Sequence, residues 1–206
     1  MPPEPLRYLA LGDSYSIGEG VTEAERWPVV LAARLGEAGI AIAPPRIIAA
    51  TGWTTDELAA AMDAAEPLGH WDLVSLLIGV NNQYRGRPLV QFRSEFAALL
   101  ERAIALAGGR PARTFVLAIP DWGVTPFAEG RERARIAAEL DAFNAVKQAV
   151  CAEREVAFVD ISGISRRADA NPDWLAGDGL HPGAAQYRAW VALALPALRA
   201  LLSPGD

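Results

Sequence analysis

The stretch Tyr8-Leu9-Ala10-Leu11-Gly12-Asp13-Ser14-Tyr15-Ser16 decides how the chain folds. Four apolar or aromatic residues make a short run of strand character, which stops on a glycine followed by two residues whose side chains bond nearby backbone. A strand that ends in such a turn and gives way to helical spacing is the first half of a β-α-β unit. The rhythm repeats outward: Arg46 to Ala49, Leu73 to Ile78, Thr114 to Ala118 and Val156 to Ile161 have the same strand character. Between them lie helical segments. Leu89, Phe92, Phe96, Leu99, Ala103 and Leu106 advance in steps of three and four, as do Ile136, Leu140, Phe143, Val146 and Val150. Trp27 to Ala38 predicts a shorter helix ending at Gly39, and Thr54-Thr55-Asp56-Glu57 has capping-box spacing. Pro182 suits the first turn of a last helix carrying Tyr187, Val191, Leu195, Leu198 and Leu202, in which Pro196 predicts a kink or break. Five strands joined by helices predict a three-layer α/β domain, an open five-stranded parallel sheet with helices on both faces.

Composition bounds the reading from outside. The 206 residues suit one domain, 1–206, with a frayed leader at Pro2, Pro3 and Pro5 and a frayed end at Ser203 to Asp206. With 51% hydrophobic and 21% charged residues, the chain is neither disordered nor fibrous. Its 25 acidic against 19 basic side chains leave a net charge of -6, so nucleic acid is not expected as a partner. The basic residues are scattered arginines with one lysine, Lys147. Cys151 is alone, which excludes an internal disulfide and reads as small core filler. No apolar run approaches the roughly 18 residues that span a bilayer, so no membrane insertion is expected. With only six residues before Arg7, no secretory leader is expected either, and the location read from this is cytoplasmic.

In an open parallel sheet, ligands bind at the carboxyl ends of the strands. The loops there bring Gly12-Asp13-Ser14, Thr51-Gly52-Trp53, Gly79-Val80-Asn81-Asn82, Pro120-Asp121-Trp122-Gly123 and, in a longer last loop, Asp178-Gly179-Leu180-His181-Pro182. Such a set supports acyl transfer: a serine hydroxyl attacks once a neutral imidazole accepts its proton, a carboxylate orients that imidazole, and hydrogen-bond donors stabilise the oxyanion. His70 precedes the third strand, at the opposite edge, which leaves His181 as the base and Asp178 as its partner. Activity is then expected to fall as pH drops through roughly 6 to 7, where an imidazole charges. Ser14, Gly52 and Asn81 stand where oxyanion donors are needed.

Four of these blocks, Gly12-Asp13-Ser14, Gly52, Gly79-Val80-Asn81 and Asp178-Gly179-Leu180-His181, in this order and spread over nearly the whole chain, resemble the SGNH hydrolases, the GDSL-type esterases and lipases. The resemblance implies a flavodoxin-like sheet, a Ser14 nucleophile, a His181 base, an Asp178 orienting acid, and an oxyanion hole of the Ser14 and Gly52 N–H groups with Asn81. It implies a carboxylic ester as substrate and no cofactor. Two departures stand out: Asn82 replaces the family's usual aspartate, removing a negative charge beside the oxyanion site, and Tyr15 replaces a common leucine.

Blander readings stand beside these. Gly-Asp-Ser and Asp-x-x-His can be turns or caps, Gly52 a left-handed turn, and Asn81 a turn residue. Trp53, Trp122 and Trp174 either line a substrate pocket, with Asn82, or pack their loops, whereas Trp27 and Trp190 sit on helices as core. Tyr84, Arg85 and Arg87 either meet an anionic or glycan substrate or are surface residues. Asp121 and Asp13 read as structural. Two histidines, one cysteine and no calcium-loop spacing predict no metal site. An esterase acting on short acyl groups leads; an acyltransferase using the same triad and a non-catalytic carbohydrate- or lipid-binding module remain alternatives. A nucleotide-binding protein is set aside, since neither glycine-rich phosphate loop occurs.

Overall fold

The computed structural model describes residues 4–202. Pro2, Pro3 and the segment from Ser203 to Asp206 lie outside them. In chain order the elements are β1 (Tyr8–Asp13), α1 (Ser14–Ile17), α2 (Trp27–Glu37), β2 (Arg46–Ala50), α3 (Thr55–Ala64) and β3 (Leu73–Leu77). There follow α4 (Val80–Tyr84), α5 (Leu89–Leu106), β4 (Thr114–Leu117), α6 (Arg133–Glu153), β5 (Ala157–Val159), α7 (Ser162–Ser165) and α8 (Ala184–Leu202).

All five strands are parallel, in the order β2-β1-β3-β4-β5. Leu11 stands between Ile48 on β2 and Leu76 on β3, and Val116 pairs with Phe158 on β5. Every residue of β1, β3 and β4 is buried, as expected of strands covered on both faces. Helix α2 packs on α8, while α3 and α6 both pack on α5, giving two helical layers with the sheet between them. The order reverses between β1 and β3, since β2 lies outside β1 and the later strands continue past β3. This is the flavodoxin-like arrangement, and its crevice lies beyond the carboxyl ends of β1 and β3.

The predicted elements are present with shifted ends, the largest shift being the last strand, which shortens to Ala157–Val159. Thr54 caps α3 with the reciprocal Thr54–Glu57 box. Cys151 is fully buried, and burial pushes its thiol up to about 11, consistent with an inert core residue.

Two local expectations need correction. Pro182 does not open the last helix: it forms an isolated antiparallel bridge with Leu175, and the helix starts at Ala184. Pro196 does not break that helix, which runs through it to Leu202. Trp190, Val191 and Ala194 before the proline and Leu198 and Leu202 after it are all buried, so both halves are held against the same core. That burial, at about 1.5–3 kcal/mol per large side chain, offsets the roughly 3 kcal/mol cost of an interior proline.

Candidate active site

Gly12 closes β1 where no side chain fits: a Cβ there would lie 2.2 Å from Ser16 Oγ and 2.5 Å from the Leu77 carbonyl oxygen. The turn it permits starts α1 at Ser14, with Asp13 as N-cap accepting the Tyr15 N–H at 3.1 Å. Ser14 is therefore fixed at the carboxyl end of β1, beside the switch in strand order.

Its partner comes from the far end of the chain. His181 Nε2 lies 3.0 Å from Ser14 Oγ, and His181 Nδ1 lies 2.5 Å from Asp178 Oδ2. In the neutral tautomer that satisfies both contacts, the ring donates from Nδ1 to the carboxylate and accepts the serine hydroxyl at Nε2. Asp178 Oδ1 also accepts the N–H groups of Leu180 at 2.9 Å and His181 at 3.0 Å. Partial burial opposes its charge, but the His181 ring and these two amides outweigh burial and hold the carboxyl below its ordinary range. The segment is tied back by Ala176 N–H to the His181 carbonyl at 2.8 Å and Gly183 N–H to the Trp174 carbonyl at 2.6 Å. Tyr15 supports the histidine edge-on, with ring centroids 5.8 Å apart.

Asn81 joins Ser14 and His181 in the lining of one cavity, of about 160 Å³, completed by Tyr15, Val80, Tyr84, Trp122, Phe127 and Leu180. The Asn81 amide donates to the Trp53 carbonyl at 2.9 Å, which binds the loop after β3 to the loop after β2. Gly52 takes φ +84°, a left-handed conformation that favours glycine, and its carbonyl accepts from Arg85 at 2.6 Å.

The remaining candidates separate. Trp122 lines the cavity and donates to Gln83 Oε1 at 2.9 Å. Trp53 packs against the core, and Trp174 stacks under the Arg167 guanidinium, 5.4 Å from its centroid; neither lines that cavity. Asn82 is fully buried, with its oxygen accepting from Thr55 N–H at 3.1 Å and its amide donating to Thr55 Oγ1 at 2.7 Å. Asp121 is a buried cap for Gly123 and an ion-pair partner of Arg166 at 2.9 Å. Arg85 and Arg87 face Glu57 at 3.3 Å and Asp56 at 2.6 Å. His70 lies ahead of β3, with Nε2 3.3 Å from Arg110.

Sequence reasoning passed over Lys147. It is fully buried, and its ammonium donates to the carbonyls of Ile78 at 3.1 Å and Leu117 at 2.7 Å, at the ends of β3 and β4. The signal was present: Lys147 falls on the apolar stripe of its own helix, four residues after Phe143 and three before Val150. Phe127, also in the cavity lining, carried no motif at all.

A family model described as the GDSL-like lipase/acylhydrolase family matches residues 10–189. The chain belongs to this family. As a GDSL-like hydrolase it is a carboxylic ester hydrolase, and the resemblance carried by its four sequence blocks is borne out. Comparison with curated proteins finds no match. Among solved structures, TesA is 22% identical, with 95% of this chain and 99% of that chain covered and a TM-score of 0.70. The psychrotrophic esterase EstA from Pseudoalteromonas sp. is 18% identical over 95% of this chain and 98% of its own, with a TM-score of 0.72. The acetylxylan esterase Axe2 from Geobacillus stearothermophilus is 18% identical over 97% and 95%, with a TM-score of 0.67. At these identities the likeness establishes the fold of this GDSL-like hydrolase. No helix among its described residues is long and apolar enough to cross a membrane.

Proposed function

We propose that this GDSL-like hydrolase cleaves a small-molecule ester with a short acyl group through an acyl-enzyme, using Ser14 as nucleophile, His181 as general base and Asp178 as the orienting carboxylate. The observation that carries the reading is the continuous contact from Asp178 Oδ2 through both ring nitrogens of His181 to Ser14 Oγ, at 2.5 and 3.0 Å. Such contacts are within the reach that proton transfer requires.

The steps follow from the atoms. His181 Nε2 takes the hydroxyl proton as Ser14 Oγ attacks the ester carbonyl, and the imidazolium formed is stabilised by Asp178. The same proton passes to the departing alkoxide, leaving an acyl-Ser14 ester. Water, deprotonated by His181, then attacks that ester and releases the acid. Charge on the carbonyl oxygen is met by the Ser14 N–H, the Gly52 N–H and the Asn81 amide. Support for these donors is positional: Ser14 is the first residue of α1, whose opening N–H groups have no intrahelical acceptor, and Asn81 faces the same cavity. The cavity of about 160 Å³ is smaller than the roughly 300 Å³ at which drug-sized pockets begin, which favours a short acyl group.

The test is a series of p-nitrophenyl esters from acetyl to dodecanoyl, with Ser14→Ala as blank. Serine-dependent turnover highest at the short end is expected. Equal rates for the two proteins would overturn the nucleophile, and a maximum at long chains would overturn the short-acyl reading. Acylated product from an added alcohol, in place of free acid, would assign acyl transfer.

A further inference from the structure

One cation lies against three of the aromatic rings that line the cavity holding Ser14 and His181. The Arg131 guanidinium lies 5.4 Å from the ring centroid of Tyr84, 5.5 Å from that of Trp122 and 5.0 Å from that of Phe127, with Nη2 3.3 Å from Tyr84 Oη. These rings pack on one another at 5.5, 6.4 and 5.9 Å between centroids, and all three line the cavity that holds Ser14 and His181. Tyr84 and Trp122 also line a second groove of about 680 Å³, to which Arg131 itself belongs. The two hollows meet at the aromatic wall, and Arg131 stands at the junction.

The neighbouring arginines have spent their charge. Arg85 faces Glu57 at 3.3 Å, Arg87 faces Asp56 at 2.6 Å, Arg133 faces Asp169 at 3.6 Å and Arg135 faces Glu139 at 2.7 Å. Arg131 forms no ion pair among the described residues, and the groove carboxylate next to it in sequence, Glu132, is not within ion-pair distance of it. Aromatic faces hold a guanidinium without neutralising it, and one hydrogen bond to Tyr84 leaves in-plane donors of its fork unused. A planar fork with free donors suits a carboxylate or a phosphate. The chain as a whole is acidic at -6, so any preference for an anion comes from this contact and not from long-range attraction.

We propose that Arg131 determines specificity in the ester hydrolysis inferred above, and that the substrate carries an anionic group, carboxylate or phosphate, which extends along the Tyr84–Trp122–Phe127 wall to the Arg131 guanidinium. The inference rests on the hydrolase reading and deepens it by naming the charge of the substrate.

The test compares matched esters that differ in one charge. Mono-p-nitrophenyl glutarate against p-nitrophenyl valerate places the charge on the acyl side; the acetate ester of γ-hydroxybutyrate against butyl acetate places it on the alcohol side. In one of the two arms kcat/KM is expected to favour the anion by roughly tenfold, the scale of a charge-assisted hydrogen bond. Arg131→Gln should bring that ratio near one, Arg131→Lys should restore part of it, and the remote Arg93→Gln should leave it as in the parent. Ratios near one in both arms, or a preference untouched by Arg131→Gln, overturn the inference. So does faster hydrolysis of acetylcholine by Arg131→Gln than by the parent, which would make the three rings a cage for a substrate cation. Absence of serine-dependent turnover on the neutral esters would instead remove the hydrolase reading beneath it.

Discussion

Asp178 grips His181 at two points: Oδ1 accepts the residue's backbone N–H at 3.0 Å, and Oδ2 faces its ring Nδ1 at 2.5 Å. One carboxylate thus sets both the position of the histidine backbone and the direction of its ring. Asp178→Asn keeps an oxygen for the backbone amide but offers the ring a neutral partner. We expect kcat on p-nitrophenyl acetate to fall by about 10²- to 10⁴-fold, with the thermal midpoint nearly unchanged. A variant as active as the parent would remove Asp178 from the mechanism.

Asn81 tests the oxyanion reading separately from the triad. Its amide bridges to the Trp53 carbonyl and has a second N–H to offer the cavity. Asn81→Ala should lower kcat by roughly 10²- to 10³-fold, the usual cost of one oxyanion donor, with a smaller change in KM. A rise in KM at constant kcat would place Asn81 in ground-state binding.

The departure at Asn82 has a local cause. Its amide donates to Thr55 Oγ1, whose own proton goes to Glu95 Oε2, so the chain of donors runs from Asn82 through Thr55 to Glu95. A carboxylate at position 82 would compete with Glu95 for the single hydroxyl proton, in a fully buried place. Asn82→Asp is therefore expected to cost about 1–3 kcal/mol by urea denaturation. Glu95→Gln, which can donate back to the hydroxyl, should recover most of that in the double variant. Additive losses would show that the two positions are uncoupled.

What could be read from the residues alone follows the reach of each interaction. Strand and helix positions were legible because β1, β3 and β4 are buried on both faces and α5 and α6 present apolar stripes, patterns set by neighbours within a turn or two. Ser14 and His181 could be placed on one rim because a parallel sheet sends every strand's carboxyl end the same way, although 167 residues separate them. Pairings between side chains were beyond that reach. Nothing local distinguishes Arg131 from the arginines at 133 and 135, and only the fold sets it against three rings. Trp53 and Trp174 share the rim with Trp122 yet fall outside the cavity lining, a matter of loop course that composition does not encode. The break expected at Pro196 is absent for the complementary reason, since a local propensity was outweighed by tertiary burial.

Two buried ionisable side chains, Asp13 next to Ser14 and Lys147 on α6, predict a stability profile with two slopes. Burial pushes the Asp13 carboxyl up from 3.8 to about 7, and burial pushes the Lys147 ammonium down from 10.5 to about 7. For Asp13 the folded chain holds the proton more tightly than the unfolded chain. Its contribution is therefore complete below about 3.8 and is lost as pH rises toward about 7. For Lys147 the folded chain releases the proton more readily, so its contribution is complete above about 10.5 and is lost as pH falls toward about 7. Other groups add their own slopes, so the quantity to follow is the difference in thermal midpoint between each variant and the parent. Asp13→Asn, which can still cap Tyr15, should gain on the parent as pH rises from about 4 to 7 and keep a constant offset above that. Lys147→Met should lose ground as pH rises from about 7 to 10, on top of a loss of about 1–3 kcal/mol from the two strand-end carbonyls left without their donor. Offsets independent of pH in both variants would show that neither group changes its proton affinity on folding, and would leave Lys147 as a hydrogen-bond donor only.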